Sequence, residues 1–467
     1  MTAALVRLLE EALASYPHEI ESTDGTAAAP ADVVAAARRL AETLLDRGLS
    51  PNEPVLVRVA NRPGDIAAFL GVWQAGGVAV PLHALAAPST VEAVQAQSAA
   101  RFRVECESVT QIASLTPPAR PLLEGAALVI FTSGSTGTPK GVVIGHDAFA
   151  GKLDVLDRML RLRPDDTVQL PLQLIFIFGL WALLLALRSK ARLILVGKFT
   201  ADTVIGLMPR TTVFVGVPSM MRAIFARPAV AADGLRIVLT GGEALGLPLS
   251  EALSAAYPKA GVFDLYGLTE TGSCDFCLAP RDALTGAGTI GRPTENVDIR
   301  LGACAQAVDE GCGELMIRTP YGMLGYLDNT QLTAASFEDG FFRTGDLARV
   351  RPDGLVAIVG RLKDIISRGG NKIAPAEIDL LLARHPDVAA ALCCGVPDPR
   401  LGETVHAAVV LRDGACTDAE DLRAWVAART ERFKVPDAIH IVAALPVGPT
   451  GKALRAGVAV LAGVGTS

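Results

Sequence analysis

Apolar and polar positions change period repeatedly along the first third of the chain. Residues 31–47 carry the helix-forming run VVAAARRLAETLLDR, closed by Gly48; 54–60 reads as a strand, 65–74 as a helix and 78–82 as a strand again. Strands separated by helices of that length predict parallel crossover units. The alternation resumes after the middle, with short β-rich runs at 192–196, 212–217, 235–240 and 261–266 and helical segments at 220–225 and 250–257. From 286 to 359 short strands (GELMIR, LARV, LVAIVG) are punctuated by Gly, Pro and Asp, the mark of an antiparallel, meandering region. Beyond 361 the pattern becomes a helix at 373–384, extended runs at 388–396 and 405–411, and a helix at 418–430. The predicted fold class is therefore α/β. A large body of several subdomains (1–360) carries parallel-rich sheets plus a β-rich subdomain, and a small α+β domain (361–467) follows.

One window, 167–187, contains no charged residue and is long enough to span a bilayer. Pro171, Gln169, Gln173 and Gly179 interrupt its front half, and strand-like sequence follows at 191–196, so a buried strand–turn–helix is expected rather than a membrane span. Composition narrows the class further. At 467 residues, half of them hydrophobic and a fifth charged, the chain is globular, with about three domains' worth of length. Lys and Arg total 43 against 49 Asp and Glu, a net charge of −6 without a basic run, which argues against a nucleic-acid binder. The eight cysteines are too sparse for a disulfide scaffold, and Cys274/Cys277 and Cys393-Cys394 lack metal-like spacing. With Glu10 and Glu11 arriving before any long apolar stretch there is no secretory signal, so a cytoplasmic protein with reduced thiols is expected.

The strongest local feature is LVIFTSGSTGTPKG at 128–141. An apolar strand runs into three glycines (Gly134, Gly137, Gly141), the hydroxyls of Thr132, Ser133, Ser135, Thr136 and Thr138, and Lys140. Glycines let backbone N–H groups turn onto an anion, hydroxyls add hydrogen bonds and the lysine adds charge, which together make a phosphate cradle. It is not the Walker pattern, because Pro139 stands where that pattern needs its second glycine. A Ser/Gly linker has similar composition, but linkers do not usually follow a buried strand and end in Pro-Lys-Gly. GAGTIG at 286–291 satisfies a dinucleotide-binding pattern on paper, yet PRDALT before it and Arg292-Pro293 after it supply neither strand nor helix, so turn sequence is expected.

The glycine/hydroxyl loop resembles that of the adenylate-forming superfamily of acyl-CoA synthetases, nonribosomal-peptide adenylation domains and firefly luciferase. The resemblance continues in order through GGVAVPL (76–82), YGLTET (266–271), FRTGD (342–346), GRLKD (360–364), GGNKIAPAE (369–377) and PTGK (449–452), most closely in the manner of an acid–CoA ligase. It implies that the C-terminal domain is a mobile lid and that the chemistry has two halves. In the first, a carboxylate attacks the α-phosphate of ATP with Mg²⁺, giving an acyl-adenylate and pyrophosphate; in the second, a thiol displaces AMP. By the family's pattern, Thr132, Ser133, Gly134, Ser135, Thr136, Gly137 and Lys140 would hold the β- and γ-phosphates. Thr269 would touch the α-phosphate and Glu270 would place Mg²⁺. Gly241, Gly242 and Glu243 would line the adenine and acyl sites beside Tyr266 and Gly267. Asp346 would bind the ribose hydroxyls, a task suited to two acceptor oxygens. Arg361 would lie near the nucleotide, Lys363 at the hinge, and Lys452 would bridge carboxylate and α-phosphate.

The pattern is loose at the acyl pocket. Phe176 stands where many relatives place a histidine, and the aspartate that holds an α-amino group is missing, which disfavours an ordinary amino acid. Phe176, Phe178, Val217 and Leu268 suggest an apolar pocket for an aryl or medium-chain acid, although each is equally compatible with plain core. The expected partners are a small carboxylic acid and either CoA or the phosphopantetheine of an acyl carrier protein, with no nucleic acid and no membrane span; a homodimer stays open. Carrier-protein loading, an unusual acceptor or an unusual oxyanion are the alternatives within this chemistry, and a non-catalytic membrane protein is the alternative from another class.

Overall fold

The computed structural model describes residues 3–132, 139–228, 231–303, 311–446 and 454–463. Packing divides the chain into two compact units, Met1–Asp298 with Ile317–Phe342, and Ile299–Met316 with Arg343–Ser467. That division differs from the change of sequence pattern at 360/361, because 299–316 and 343–360 pack with the C-terminal unit. Position 360/361 is where the strand Val356–Arg361 runs out into the 3-10 turn Leu362–Asp364.

Two sheets build the first unit. In the larger, six neighbouring strands run parallel, in the spatial order Gly261–Tyr266, Ile237–Gly241, Val213–Val215, Thr167–Leu170, Arg192–Leu195 and Ile20–Ser22. The antiparallel pieces Phe276–Leu278 and Arg292–Pro293 extend one edge and Ala27–Ala28 the other. The second sheet sets Val78–His83, Pro54–Val59, Phe102–Glu105 and Ala126–Thr132 parallel, and adds Lys140–Gly145 and Gly325–Tyr326 antiparallel at one side. Parallel strands are stable only when helices cover both faces, which is why these strands read as continuous apolar runs.

Within the charge-free window, Thr167–Leu170 is a strand and Ile177–Arg188 a helix, the expected strand–turn–helix. Ten of the twelve residues of that helix are buried, Trp181 completely. Twelve residues make a rod of about 18 Å, against a bilayer core of about 30 Å. No helix among the described residues is long and apolar enough to cross a membrane. Helices Ala4–Ala14, Pro30–Asp46, Pro63–Gln74 and His146–Leu160 contribute to the same core. Helices Ala201–Leu207, Pro218–Phe225 and Leu247–Ala256 carry a second cluster with Phe214, Val238 and Val262 of the larger sheet.

In the second unit, residues 346–350 of the strand Phe341–Val350 pair antiparallel with Val356–Arg361. A further sheet joins Asn371–Ile373, Ile366–Arg368, Gly402–Leu411, Val388–Asp398 and Ala438–Ile441. Pro375–Ala383 and Ala419–Ala427 cover one face through Ile378, Leu382, Leu422 and Val426. Arg455–Leu461 seats Val458 against Leu392, Cys394 and Ala408 of the other. Residues 286–289 are turn and bend, as the flanks predicted, and neither a strand directly precedes them nor a helix directly follows.

Candidate active site

The parallel register decides what meets at the site. Gly241 lies opposite Leu265 on the adjoining strand, so Gly241-Gly242-Glu243 and Tyr266-Gly267-Leu268 leave the sheet side by side at its carboxyl edge. The next strands along the sheet, Val213–Val215 and Thr167–Leu170, lead at that same edge into Val217 and into the loop before Phe176 and Phe178. In open α/β sheets this edge is where ligands bind. Residues separated by about ninety positions in the chain are thus brought to one edge by strand order.

Glycine is required here by close backbone approach. A Cβ on Gly241 would sit 2.4 Å from the Leu265 carbonyl oxygen, and one on Gly267 would sit 2.3 Å from the Cys274 nitrogen. The two glycines leave a backbone-lined edge that a planar ring or a phosphate can approach closely. Gly267 also admits the one-turn 3-10 helix Thr269–Thr271, which carries Thr269 and Glu270 and is held by a hydrogen bond from Met323 N–H to the Glu270 carbonyl at 2.8 Å.

Glu270 has a partner that no sequence motif announced. The Tyr326 hydroxyl donates to Glu270 Oε1 at 3.0 Å, and Lys140 Nζ lies 5.6 Å from the centre of the Tyr326 ring. Strand pairing makes this possible: Thr132 faces Lys140 across an antiparallel pair, and Tyr326 faces Val142 on the outer side of the second strand. Burial and the Glu270 charge both push the Tyr326 phenol above its ordinary pKa, so it remains a protonated donor throughout the neutral range. A cavity of about 250 Å³, lined in part by Glu270, Thr271, Ala148, Thr319 and Met323, opens beside this group. Ser133, Gly134, Ser135, Thr136 and Gly137, between the paired Thr132 and Lys140, lie outside the described residues, as does Lys452.

Glu243 is also engaged. Its carboxylate accepts from Ser219 Oγ at 2.8 Å and pairs with Arg222 Nη1 at 3.3 Å, both on the helix Pro218–Phe225 that Val217 precedes. A Cβ on Gly242, which turns at φ +79°, would lie 3.9 Å from Val217 Cγ1. Of the proposed pocket residues, Phe176 is half exposed. Phe178 stacks on buried Trp181 at 4.8 Å, and Val217 and Leu268 rest partly against the main core.

In the second unit, Asp346 is 2 % exposed and its Oδ1 lies 2.8 Å from Arg361 Nε, its cross-strand neighbour. The sequence reading assigned both to the nucleotide; the fold makes them an ion pair. Gly345 turns at φ +72°, and Glu314 holds Arg343 through two hydrogen bonds at 2.7 and 3.0 Å. Lys363 sits in the turn Leu362–Asp364. Arg455, at the start of the last helix, pairs with Asp379 at 2.6 Å and approaches Asp364 at 3.6 Å.

A glycine-lined carboxyl edge of a parallel sheet, with a tyrosine-held carboxylate and a lysine that follows a Ser/Thr/Gly-rich stretch of sequence, defines a nucleotide-handling α/β enzyme. Comparison with known families agrees: residues 9–123 and 105–327 match the AMP-binding enzyme family and 377–452 match the AMP-binding enzyme C-terminal domain. The chain belongs to the AMP-binding, adenylate-forming enzymes. A feruloyl-CoA synthase of Amycolatopsis is 32% identical over 92% of this chain and 93% of its own. The ATP-bound MatB of Rhodopseudomonas palustris superposes with a TM-score of 0.85 at 26% identity, covering 98% of both chains. The o-succinylbenzoate CoA synthetase MenE of Bacillus subtilis, in complex with its acyl-adenylate intermediate, does so with 0.83 at 25% identity, covering 96% of this chain and 97% of its own.

Among the described residues no group of three or more His, Cys, Asp or Glu could hold a metal ion. A lone carboxylate such as Glu270 nevertheless suits Mg²⁺, which commonly takes one or two protein carboxylates and completes its shell with phosphate oxygens and water.

Proposed function

We propose that this protein is an AMP-forming acid–CoA ligase acting on an aryl or medium-chain carboxylic acid. The observation that carries the reading is the convergence of Gly241–Glu243, Tyr266–Glu270 and Tyr326 around one sheet edge in a chain of the AMP-binding family. The feruloyl-CoA synthase relative and the half-exposed Phe176 before a stacked Phe178 favour the aryl class. In this reading, Gly241, Gly242, Tyr266 and Gly267 receive the adenine of ATP, and the segment from Thr132 to Lys140 holds the β- and γ-phosphates. Asp346, fixed by Arg361, accepts from the ribose hydroxyls.

An oxygen of the acid's carboxylate attacks the α-phosphorus and the bond to the β-phosphate breaks, releasing pyrophosphate. Thr269 donates to an α-phosphate oxygen, and the Lys452 ammonium opposes the negative charge that accumulates between the two anions. Mg²⁺, when bound, neutralises phosphate charge. Tyr326 keeps the Glu270 carboxylate oriented for that ion. In the second half, the thiolate of CoA attacks the acyl carbonyl and AMP leaves with the bonding pair, giving the thioester. Lys363 is the pivot between the halves in this reading.

The test is acid-dependent exchange of pyrophosphate into ATP across benzoates, cinnamates and C4 to C10 fatty acids, followed by AMP release with CoA or with a phosphopantetheinylated carrier protein. Exchange with an aryl or medium-chain acid and rapid AMP release on adding CoA are expected. Exchange that turns over only with the carrier protein would make this a carrier-loading enzyme, and no exchange with any acid would overturn the reading.

A further inference from the structure

Beneath the turn that carries Thr269 and Glu270 lies an ion pair with no exposure at either partner: Lys152 Nζ, from the helix His146–Leu160, is 3.5 Å from Asp275 Oδ1. Lys152 also donates to the Cys274 carbonyl at 3.1 Å, and its ammonium stands 5.2 Å from the centre of the Tyr321 ring. Asp275 reaches the turn directly, its Oδ2 accepting a hydrogen bond from Thr271 Oγ1. Thr271 in turn accepts from Leu268 N–H at 3.3 Å, and Ser273 N–H donates to the Leu268 carbonyl at 2.8 Å, closing the turn on itself. Burial pushes the Asp275 carboxyl upward and the Lys152 ammonium pulls it back.

Stability does not explain such a pair. Desolvating two charges offsets most of their attraction, and apolar side chains of equal volume hold a core together as well or better. What the pair does supply is direction: the carboxylate is held at one place by an ammonium that comes from a different element, and Thr271 is held by the carboxylate. We propose that Lys152 and Asp275 are positioning residues for adenylation, fixing the turn so that Thr269 and Glu270 meet the α-phosphate and its metal in one geometry. The proposal rests on the ligase reading above and adds to it two residues that touch neither substrate nor nucleotide.

The experiment compares K152M, D275N and the double variant K152M/D275N with the wild-type chain by pyrophosphate exchange and by amide hydrogen exchange. A positioning role predicts that K152M loses roughly tenfold or more in the exchange kcat, keeps its KM for the acid within about threefold, and needs more Mg²⁺ for half-maximal rate. Amides 268–273 should exchange faster while those of the strand Gly402–Leu411 stay unchanged. The double variant, in which both charges are gone and an amide still faces Thr271, should recover several-fold of the K152M loss. A folded K152M with wild-type kcat, or with unchanged exchange at 268–273, overturns the proposal. Should K152M not fold, D275N decides by the same two readouts, with the same overturning result. A wild-type chain inactive with every acid would sink the ligase reading instead, and hydrogen exchange would still decide whether the pair holds the turn.

Discussion

Replacing Tyr326 by Phe removes one oxygen atom and leaves everything else at that position in place. The ring is 5 % exposed and keeps its packing beneath Lys140, and the backbone of Gly325–Tyr326 keeps its pairing with Val142 and Val143. What disappears is the 3.0 Å hydrogen bond to Glu270 Oε1. A hydrogen bond to a charged acceptor contributes about 1.5–3 kcal/mol, which at about 1.4 kcal/mol per decade corresponds to roughly 10- to 150-fold. Glu270 is only half-buried, so water can take the vacant place and the lower part of that range, about 10- to 30-fold, is expected. The loss should fall on the exchange kcat and on the Mg²⁺ dependence, since the carboxylate rather than the acid pocket is released. Stability should fall by a comparable amount, about 1.5–2 kcal/mol. The assay is pyrophosphate exchange at saturating acid with Mg²⁺ titrated, alongside thermal unfolding. Rates within twofold of wild type at every Mg²⁺ concentration would refute the idea that Tyr326 orients Glu270.

Gly267→Ala places a Cβ 2.3 Å from the Cys274 nitrogen and 2.7 Å from the Ser273 carbonyl carbon, both backbone, so the turn must move. Overpacking of this kind costs about 1–3 kcal/mol, and exchange activity should drop about tenfold or more while the protein still folds; wild-type activity would show that the turn tolerates displacement. Asp264 makes a pH prediction: burial raises its carboxyl from 3.8 to about 7. Over that interval the folded chain holds a proton that the unfolded chain releases. The group's contribution is therefore whole below its unfolded pKa and is lost as pH rises through the folded one. Urea midpoints should decline across about pH 4 to 7 through this group, and Asp264→Asn should flatten that part of the profile; an unaltered slope would contradict it. Lys452→Ala should reduce acid-dependent exchange by roughly 10²–10³-fold. Thioester formation from a supplied acyl-adenylate should be retained, and equal loss of both half-reactions would reject its assignment to the first.

The class of fold was readable in advance because local pattern carries it. The strands at 54–60 and 261–266 and the helix at 31–47 announce themselves through consecutive residues, and the structure places them at Pro54–Val59, Gly261–Tyr266 and Pro30–Asp46. The charge-free window at 167–187 was readable for the same reason, since Pro171 and Gly179 interrupt it locally. The partners of the proposed site residues were not readable. A lysine in an amphipathic helix reads as a solvated charge, yet Lys152 is wholly buried because Asp275, 123 positions later, returns to meet it. Tyr326 lies 56 residues from Glu270, and the Gly325-Tyr326 strand that brings it there is two residues long. Asp346 and Arg361 were recognised separately, and only the pairing of their two strands makes them an ion pair.

Sequence alone determined the α/β class, the order of the motifs and the adenylate-forming family, since each is written in short stretches of consecutive residues. Tertiary structure decided which carboxylates are held, by which tyrosine, lysine or arginine, and which segments pack with the C-terminal unit. Those outcomes depend on sheet order and strand register, which are set by the burial of whole faces and leave no trace in any short stretch of chain.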